Sequence, residues 1–320
     1  MDKQSKIMIT GAAGFIASYL AAHLNKLGYD QLYLVDDFTI VKKQSNFLSL
    51  NYIEKIQRDD LESYLKTGIQ PDYMIHLGAR TDTTEMDYAI HEKLNVAYSK
   101  FIWTYCSLRR IPLIYASSAA TYGNGEFGYN DTHEIVDKLQ PLNPYGISKN
   151  EFDKWVLKQV NEKALCPPNW QGLKFFNVYG PHESHKGRMA SVIFHAFHQI
   201  KKQGAMNLFR SHHPDYTDGG QLRDFIYVRD IAEVIVWLME KHVESGLYNL
   251  GTGHAETFLH LAQSVFDAMG KPAQIHFIDT PIDIRDKYQY FTEANMQKLI
   301  RQGYSKPFTR LADGVKDYVT

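Results

Sequence analysis

Up to about residue 180, short runs of β-branched and aromatic residues alternate with segments whose apolar residues lie three or four positions apart. Ile16, Leu20 and Leu24 show this helical spacing. Such alternation is typical of a parallel sheet with helices on both faces. The predicted strands are KIMIT (6–10), QLYLVDD (31–37), YMIHLGA (73–79), LIYASS (113–118) and LKFFNVYG (173–180).

This alternation breaks after about residue 180, where a polar loop (181–188) precedes a segment rich in turn-forming residues and histidine. FIYVRD (225–230) and YNLGTG (248–253) are then predicted as strands that rejoin the sheet. We therefore predict a Rossmann-type doubly wound α/β domain with a smaller C-terminal cap that binds the substrate. The larger domain would comprise residues 1–180 and 225–257, and the cap residues 181–224 and 258–320.

Composition excludes several classes of protein. The 35 Lys and Arg residues balance 36 Asp and Glu without a long basic run, so nucleic acid and membrane are not expected partners. No segment approaches the roughly 18 apolar residues of a membrane span, and Thr10 and Gly11 interrupt the N-terminal apolar stretch before a signal-peptide core. Cys106 and Cys166 form no framework, which suits the cytoplasm. The 14 histidines follow no ligand spacing, so no metal is expected.

A glycine-containing turn, ITGAAGFIAS, directly follows the first predicted strand and opens a helix. Gly11 and Gly14 permit a tight turn in which backbone N–H groups approach a pyrophosphate at the helix N-terminus. Ala17 still lets the helix and strand pack closely. Asp36 ends the next strand, at about the 20-residue distance expected of an acid that binds the ribose. The combination predicts a dinucleotide site.

The residues leave the choice between NAD and NADP open. Asp36 favours the free 2′-hydroxyl of NAD. Lys42, Lys43 and Arg58 could neutralise the 2′-phosphate of NADP, or they could be ordinary surface charges.

A second stretch of small residues, HLGA (76–79), ends another predicted strand. Its small side chains would let a cofactor lie close to the backbone. Asn95 could tie this region together by hydrogen bonds, or it could be a buried structural amide.

Two further motifs place reactive groups at the same edge of the predicted sheet. YASSAATYG (115–123) ends a strand with hydroxyl groups, and NPYGISK (143–149) opens a helix. Asn143 can cap that helix, and Pro144 suits its first turn.

Tyr145 and Lys149 lie one turn apart on a helix face that continues into Phe152 and Val156, so this face should point at the sheet. A lysine ammonium would lower the pKa of the tyrosine from about 10 toward the working pH, where it can exchange a proton with an alcohol. Ser118 would hydrogen-bond the same oxygen. A Tyr/Lys pair by itself more often has a structural role, but its position beside a predicted dinucleotide site favours a catalytic one.

The stretches TGAAGFIA, SSAATYG, YGISK and FFNVYGP together resemble the nucleotide-sugar branch of the extended short-chain dehydrogenase/reductase family, over essentially the whole chain. The resemblance implies that Ser118, Tyr145 and Lys149 are catalytic. Members that dehydrate their sugar usually carry an acidic pair just after the Ser or Thr of this strand. Ala119 and Ala120 stand there, so oxidation and re-reduction are expected instead of dehydration.

A more specific resemblance is to a subgroup of epimerases that act on ADP-heptose for the lipopolysaccharide inner core. It implies that tightly held NADP, one per subunit, or alternatively NAD, oxidises side-chain carbon 6 to a ketone and returns hydride to the other face. A cytoplasmic homo-oligomer is implied as well. The alternatives are another nucleotide-sugar 4-epimerase or reductase, or a non-catalytic nicotinamide-binding module. The matching stretches include ARTDTTEMD (79–87), FFNVYGPHESHKGRMASVIFH (175–195), LRDFIYVRD (222–230), YNLGTGHAETF (248–258) and KYQYFTEANM (287–296).

Inversion needs a proton acceptor near each of two orientations of the reacting carbon, and the resemblance makes Lys186 a second base beside Tyr145. Its amine must be partly neutral, which requires burial or cationic neighbours such as Lys149 and Arg188. The alternative is a solvated lysine that contacts a phosphate.

The chain departs from the family pattern at three places: Arg188 replaces a small Ser, Lys174 stands where Arg is common, and the segment 210–221 looks longer. Even so, the resemblance implies contacts to cofactor and substrate. The implied cofactor contacts are Gly11, Gly14, Phe15, Ile16, Asp36, Asp37, Lys43, Arg58, Leu77, Gly78, Ala79, Arg80, Asn95, Lys149, Val178 and Lys186. The implied substrate contacts are Ser118, Asn177, Arg188, His195, Phe209, Arg210, Ser211, His212, Arg223 and Tyr288.

Overall fold

Strands and helices alternate along the chain, for which a computed structural model describes residues 1–285 and 289–320. Within these residues, seven strands pair in parallel into one large sheet and five form two small sheets. In chain order the strands are β1 (Ile7–Thr10), β2 (Leu32–Asp36), β3 (Glu54–Gln57), β4 (Tyr73–His76), β5 (Leu113–Ser118), β6 (Trp170–Phe175), β7 (Asn177–Tyr179), β8 (Met206–Phe209), β9 (Leu222–Tyr227), β10 (Gly246–Leu250), β11 (Ala255–Thr257) and β12 (Ile275–Ile278).

Helices connect these strands. A π-helical turn (Glu92–Ala97) joins the helix that ends at His91 to the helix that begins at Tyr98. In the part of the chain described, none of the helices is both long enough and apolar enough to cross a membrane. In chain order they are α1 (Phe15–Lys26), α2 (Leu61–Leu65), α3 (Tyr88–His91), α4 (Tyr98–Arg109), α5 (Pro144–Asn161), α6 (Val192–Gln203), α7 (Val228–Glu240), α8 (Phe258–Ala268), α9 (Ile282–Arg285), α10 (Gln297–Arg301) and α11 (Leu311–Val319).

The large sheet has the strand order β10-β6-β5-β4-β1-β2-β3. From β1 the chain winds outward through β2 and β3, and it then returns to the other side of β1 to continue through β4, β5, β6 and β10. This reversal creates a crevice at the carboxyl ends of the strands beside β1. The predicted doubly wound α/β fold is confirmed.

Side chains of the central strands are buried on both faces of the sheet, as a parallel sheet covered by helices requires. On β1, Ile7 and Ile9 point into the core that contains the apolar residues of α1 and α7. Met8 points into the opposite core, which contains residues of α4 and α5. The near-continuous apolar character of these strands follows from this double burial.

Two of the predicted strands are wrong in part. The predicted strand 225–230 stops at Tyr227, and Val228 begins α7. Its strand, β9, does not rejoin the large sheet but pairs with β7 and β11 in a small one. The run 173–180 likewise divides after Phe175 into β6 and β7. The apolar run Phe225–Tyr227 in β9 is compatible with a strand of either sheet, so its residue pattern does not reveal which sheet it joins.

The smaller sheets share a third core with α6, α8 and α11, in which Ile193, Leu208, Phe225, Leu261 and Leu311 are buried. The strand predicted over 248–253 does join the large sheet as β10, beside β6, but it spans Gly246–Leu250 and residues 251–253 follow its end. The proposed boundaries of the two domains remain a prediction.

A buried carboxylate joins the sheet to α5. Asp153 lies 2.7 Å from the Nζ atom of Lys174, and both side chains are at most 1% exposed. Its carboxylate also accepts hydrogen bonds from Ser117 Oγ at 2.6 Å and Tyr115 Oη at 3.1 Å. The side chain of Lys174 has a second acceptor in Thr121 Oγ1, at 2.8 Å. Lys174 is therefore one half of a buried ion pair.

We predict that Lys174→Met destabilises the protein by about 3–5 kcal/mol, because it leaves the charge of Asp153 buried without its cation. Chemical denaturation measures this loss. Lys158→Met is the control, because Lys158 forms an exposed pair with Glu162 and should change the unfolding free energy by less than about 0.5 kcal/mol. Adding Asp153→Asn to Lys174→Met should recover part of the loss. If Lys174→Met alone were as stable as the wild type, Lys174 would not be the stabilising partner of the buried Asp153 charge.

Candidate active site

A cavity of about 470 Å³ lies in the crevice at the carboxyl ends of β1, β2, β4 and β5. Residues from four strand ends, from α5 and from the loop after β7 surround it. Most of the predicted cofactor contacts line it. They are Gly11, Gly14, Phe15, Ile16, Asp36, Asp37, Lys43, Arg58, Leu77, Gly78, Ala79, Arg80, Lys149 and Lys186.

The floor of the cavity depends on glycine. Gly11 has φ +71°, and a Cβ atom at this position would lie 2.7 Å from the Cα and N atoms of Gly78. The ends of β1 and β4 therefore approach as closely as backbone allows. Gly14 caps α1 without a side-chain hydrogen bond, which leaves first-turn N–H groups to bind an anion. This arrangement fits the diphosphate of a dinucleotide.

Asp36 is buried at one end of the cavity and is already bonded to its own chain. Its carboxylate accepts hydrogen bonds from the backbone N–H groups of Ala13 at 2.9 Å and Asp37 at 2.7 Å. Lys43 Nζ lies 2.9 Å from the same group. Lys43 and Arg58 line the cavity, whereas Lys42 is exposed and lies outside it. The structure thus places Lys43 and Arg58 at the cofactor cavity and Lys42 outside it, a difference that the sequence alone does not show.

The predicted cap of α5 is confirmed: Asn143 Oδ1 accepts a hydrogen bond from Gly146 N at 2.9 Å, and Pro144 is in the first turn. This start of the helix brings Tyr145 and Lys149 to the cavity on one face. Burial raises the pKa of Tyr145, a hydrogen bond with Ser118 acts in the opposite direction, and the charge of Asp153 adds to the rise. The net shift of the Tyr145 pKa is upward because burial is the largest of these effects.

Lys149 is buried beneath the cavity, where its Nζ atom donates a hydrogen bond to the Ala116 carbonyl at 2.9 Å. Burial lowers the pKa of its ammonium from 10.5 to about 8, although the charge of Asp153 acts in the opposite direction. The amine is therefore mostly charged at neutral pH but can lose its proton in mild alkali.

Lys186 lies on the 3₁₀-helical turn Ser184–Met189 that closes one side of the cavity. Its Nζ atom is 5.5 Å from the centre of the Phe15 ring. Burial lowers the pKa of this amine, and the nearby Glu183 acts against that effect. The residue is thus a partly buried lysine facing the cofactor cavity.

Asn95 and Val178 do not line the cavity. The Asn95 amide is fully buried, accepts a hydrogen bond from Arg80 N at 2.7 Å and donates to Arg80 O at 3.0 Å. It also donates to Ser148 Oγ at 2.9 Å. Asn95 thus ties the loop after β4 to α5 by hydrogen bonds and is a buried amide as well, so the two alternatives considered for it hold together.

The described residues among the predicted substrate contacts do not line the cofactor cavity. Ser118 ends β5 of the large sheet and His195 lies on α6, whereas the others lie on the smaller sheets or on neighbouring loops. Asn177 begins β7 and is exposed. Arg223, on the adjacent β9, is buried and donates to the carbonyls of Leu222 and Gln289. His195 Nε2 lies 3.3 Å from the Arg188 carbonyl. Tyr288 lies outside the described residues.

The segment from Phe209 to His212 is held by its own surroundings. Asp218 accepts a hydrogen bond from Ser211 N at 2.9 Å, and its carboxylate lies 3.9 Å from the guanidinium of Arg210. The N–H group of His212 donates to Tyr290 Oη at 3.1 Å. Residues 210–221 therefore form a loop whose first part is held by Asp218 and Tyr290.

Sequence reasoning missed residues that position the site. The side chain of Asn46 donates to the carbonyls of Ala13 and His182, each at 3.1 Å, and lies 3.1 Å from His185 Nδ1. It thereby docks the Lys186 turn onto the glycine turn. Glu183 is buried and accepts from Ser191. Glu183 and His185 belong to the HESHKG motif, which could have drawn attention to them. Asn46 lies in no recognisable motif, so the sequence around it does not indicate its role.

A glycine turn at a strand-order reversal, beside a buried lysine and a tyrosine one turn away, defines a nicotinamide-dependent enzyme that oxidises and reduces alcohols. The chain belongs to the NAD dependent epimerase/dehydratase family, whose sequence model matches residues 7–251. The predicted family and the nicotinamide cofactor are thereby confirmed.

Relatives extend over nearly the whole chain. The ADP-L-glycero-D-manno-heptose-6-epimerase of Fusobacterium nucleatum is 43% identical over 98% of this chain and 96% of that protein. The enzyme of the same name from Brachyspira hyodysenteriae is 39% identical over the same shares. Among solved structures, the Helicobacter pylori ADP-L-glycero-D-manno-heptose-6-epimerase superposes with a TM-score of 0.80 at 27% identity, covering 99% of this chain and 96% of that one. The predicted epimerase class is confirmed.

We predict that Lys149→Met stabilises the cofactor-free protein at pH 7 by about 2 kcal/mol. Removing the buried ammonium, whose pKa falls from 10.5 to about 8, should gain roughly 3 kcal/mol, and losing its hydrogen bond should cost about 1 kcal/mol.

Above pH 8 the folded-state amine becomes neutral while the unfolded-state amine stays charged up to its ordinary pKa of 10.5. The wild type therefore gains stability with pH, and the advantage of the variant shrinks. Denaturant titrations at pH 7 and about 9.5 measure the difference, with Lys158→Met as the exposed control. If the stability difference between Lys149→Met and the wild type did not change with pH, the lowered pKa of Lys149 would not be its cause.

Proposed function

We propose that the protein interconverts ADP-D-glycero-D-manno-heptose and ADP-L-glycero-D-manno-heptose by inverting carbon 6 of the heptose. The observation that carries this proposal is that Tyr145 and Lys186 line one cavity from different elements. Full-length relatives bearing the name of this activity, at 37–43% identity, support the choice of sugar. A homo-oligomer in the cytoplasm remains a prediction.

A nicotinamide cofactor held by the glycine turn and Lys149 would supply reversible hydride transfer at carbon 6, and inversion requires that the two transfers use opposite faces of that carbon. Tyr145, hydrogen-bonded to Ser118, would accept the hydroxyl proton when one epimer is oxidised, and Lys186 would donate a proton to the ketone oxygen when the other epimer forms, whose hydroxyl points the other way. In the reverse direction the two residues exchange these roles, and proton exchange with solvent returns each to its starting state. One acid–base residue for each orientation explains how the site inverts the carbon.

The surroundings of Lys186 suit this role, because burial lowers the pKa of its amine and so raises the neutral fraction that can accept a proton. The glycine at position 187 has φ 55° and ψ −127°, a conformation that side chains disfavour. This bend lets Lys186 face the cavity while the next residue, Arg188, points outward.

We propose NADP as the cofactor. Asp36 is the residue that would select a free ribose hydroxyl, but its carboxylate already accepts two backbone hydrogen bonds and pairs with Lys43. Lys43 and Arg58 line this end of the cavity and could bind the 2′-phosphate. The glycine turn would hold the diphosphate.

The small sheet would hold the sugar nucleotide. Asn177 on β7 and Arg223 on β9 lie on paired strands, so a single sheet carries both predicted contacts. The planar guanidinium of Arg223 suits a diphosphate. The segment from Phe209 to His212 would contact the nucleotide part, as the family resemblance implies.

The first test removes one acid–base residue at a time. Lys186→Met should lower epimerisation by about 10²- to 10⁴-fold, the usual contribution of a general acid or base. In single-turnover experiments that follow reduction of the bound cofactor, Lys186→Met should fail with one epimer, and Tyr145→Phe with the other.

Lys202→Met serves as the control, because Lys202 is exposed on α6, outside the cavity. Cofactor content, identified by mass after release, must stay normal in each variant. Full epimerisation by Lys186→Met at normal cofactor content would refute the two-base account. Inactivity of the wild type toward ADP-heptose, with turnover of a UDP- or GDP-sugar, would refute the substrate.

The second test concerns the cofactor. Lys43→Ala should weaken NADP binding by about tenfold, the value of one charge-assisted hydrogen bond, and should change NAD binding by less than about threefold. Titration of the cofactor-free protein with each dinucleotide measures both affinities. The neighbouring Lys42→Ala should change neither. Equal loss of NAD and NADP affinity in Lys43→Ala would argue against NADP.

A further inference from the structure

Two loops meet across the mouth of the cofactor cavity. Arg188, on the Ser184–Met189 turn, donates a hydrogen bond to Thr84 Oγ1, and its guanidinium lies 3.6 Å from Asp82 Oδ1. Beside this contact, Thr83 Oγ1 lies 3.9 Å from Met189 Sδ. Because Asp82 and Met189 line the cavity, the contact lies directly over the space that the cofactor would fill.

The loop after β4 holds Asp82 ready for this contact. The backbone N–H and hydroxyl groups of Thr84 donate to Asp82 Oδ1 at 3.0 and 2.6 Å. These bonds lower the pKa of Asp82, so the carboxylate is charged at neutral pH. Arg80 lies 3.5 Å from the same carboxylate and 3.3 Å from Glu85, and its backbone is fixed by Asn95.

The turn that carries Arg188 is anchored from below. Asn46 bonds it to the glycine turn through the carbonyls of His182 and Ala13. Glu183 closes the base of the loop by accepting hydrogen bonds from Gly180 N at 3.2 Å and Ser191 Oγ at 2.7 Å. With both sides anchored, the outer contact of Arg188 completes a bridge over the cavity.

We propose that Arg188, Asp82 and Thr84 form a clasp that retains the nicotinamide cofactor and holds the Lys186 turn over it. Arg188 is a positioning residue here, because it touches the opposite loop and points away from the cavity. The inference rests on the proposed function, since it requires a cofactor beneath the clasp. It also gives a use to the arginine that stands where the family pattern has a small serine.

The contact is exposed, with 68% of the Arg188 side chain accessible, so its effect should be moderate and sensitive to salt. Opening it must precede release of a cofactor that is enclosed below. We therefore expect Arg188→Ser to accelerate cofactor release by about two- to fivefold, the range for an exposed ion pair.

The test uses the purified holoenzyme loaded with NADPH, and it follows loss of the bound fluorescence after addition of excess NADP. Arg188→Ser should release NADPH faster. Arg229→Ser should release it at the wild-type rate, because Arg229 forms a comparable exposed pair with Asp317, 3.4 Å away, outside the cavity lining. Raising the salt from about 0.05 to about 0.5 M should speed release from the wild type more than from Arg188→Ser.

Exchanging the charges of Asp82 and Arg188 tests whether their ion pair itself retains the cofactor or whether each residue only supports the structure of its own loop. Asp82→Arg alone should release NADPH quickly, and combining it with Arg188→Asp should restore slow release, because the ion pair re-forms with reversed polarity. Wild-type release rates in Arg188→Ser, or no rescue by the double variant, would overturn the clasp while the wild type still epimerises. Absence of both NADPH binding and epimerisation in the wild type would instead refute the proposed function.

Discussion

The architecture of the site depends on the buried carboxylate of Asp153. A charge without solvent must be compensated by partners of good geometry, and here Lys174, Ser117 and Tyr115 provide them. These partners come from β5 and β6, whereas Asp153 comes from α5, so one group fixes that helix against the sheet. Tyr145 lies two turns earlier on the same helix, and its place at the cavity follows from this attachment.

Exclusion of water, which strengthens the attachment of α5, also shifts the pKa values of the groups that line the cavity. Burial lowers the pKa values of Lys149 and Lys186 and raises that of Tyr145. His76, buried behind the cavity between Thr10 Oγ1 and Ser99 Oγ, has its pKa lowered to about 3 and stays neutral. Around the cavity, the two lysine amines are therefore more easily deprotonated, and the Tyr145 hydroxyl is less easily deprotonated, than they would be in water.

Two loops, the one after β4 and the Ser184–Met189 turn, complete this centre, and they differ from it in how they are held. The centre is secured by buried hydrogen bonds and by the buried ion pair of Lys174 and Asp153. The Ser184–Met189 turn is secured by Asn46 and Glu183 at its base and by the exposed Arg188 at its tip. An enclosed ligand would leave past the tip, because exposed contacts open more readily than buried ones.

The sequence by itself determined what depends on neighbours along the chain: the strands buried on both faces, the glycine turn before α1, the Asn143 cap, and Tyr145 and Lys149 on one face. These features follow from local periodicity and backbone geometry. The tertiary structure alone decided the sheet that β9 joins, the partners of Lys174 and Arg188, and which of Lys42 and Lys43 meets the cavity. Each depends on contacts between residues distant in the chain, which no local pattern records.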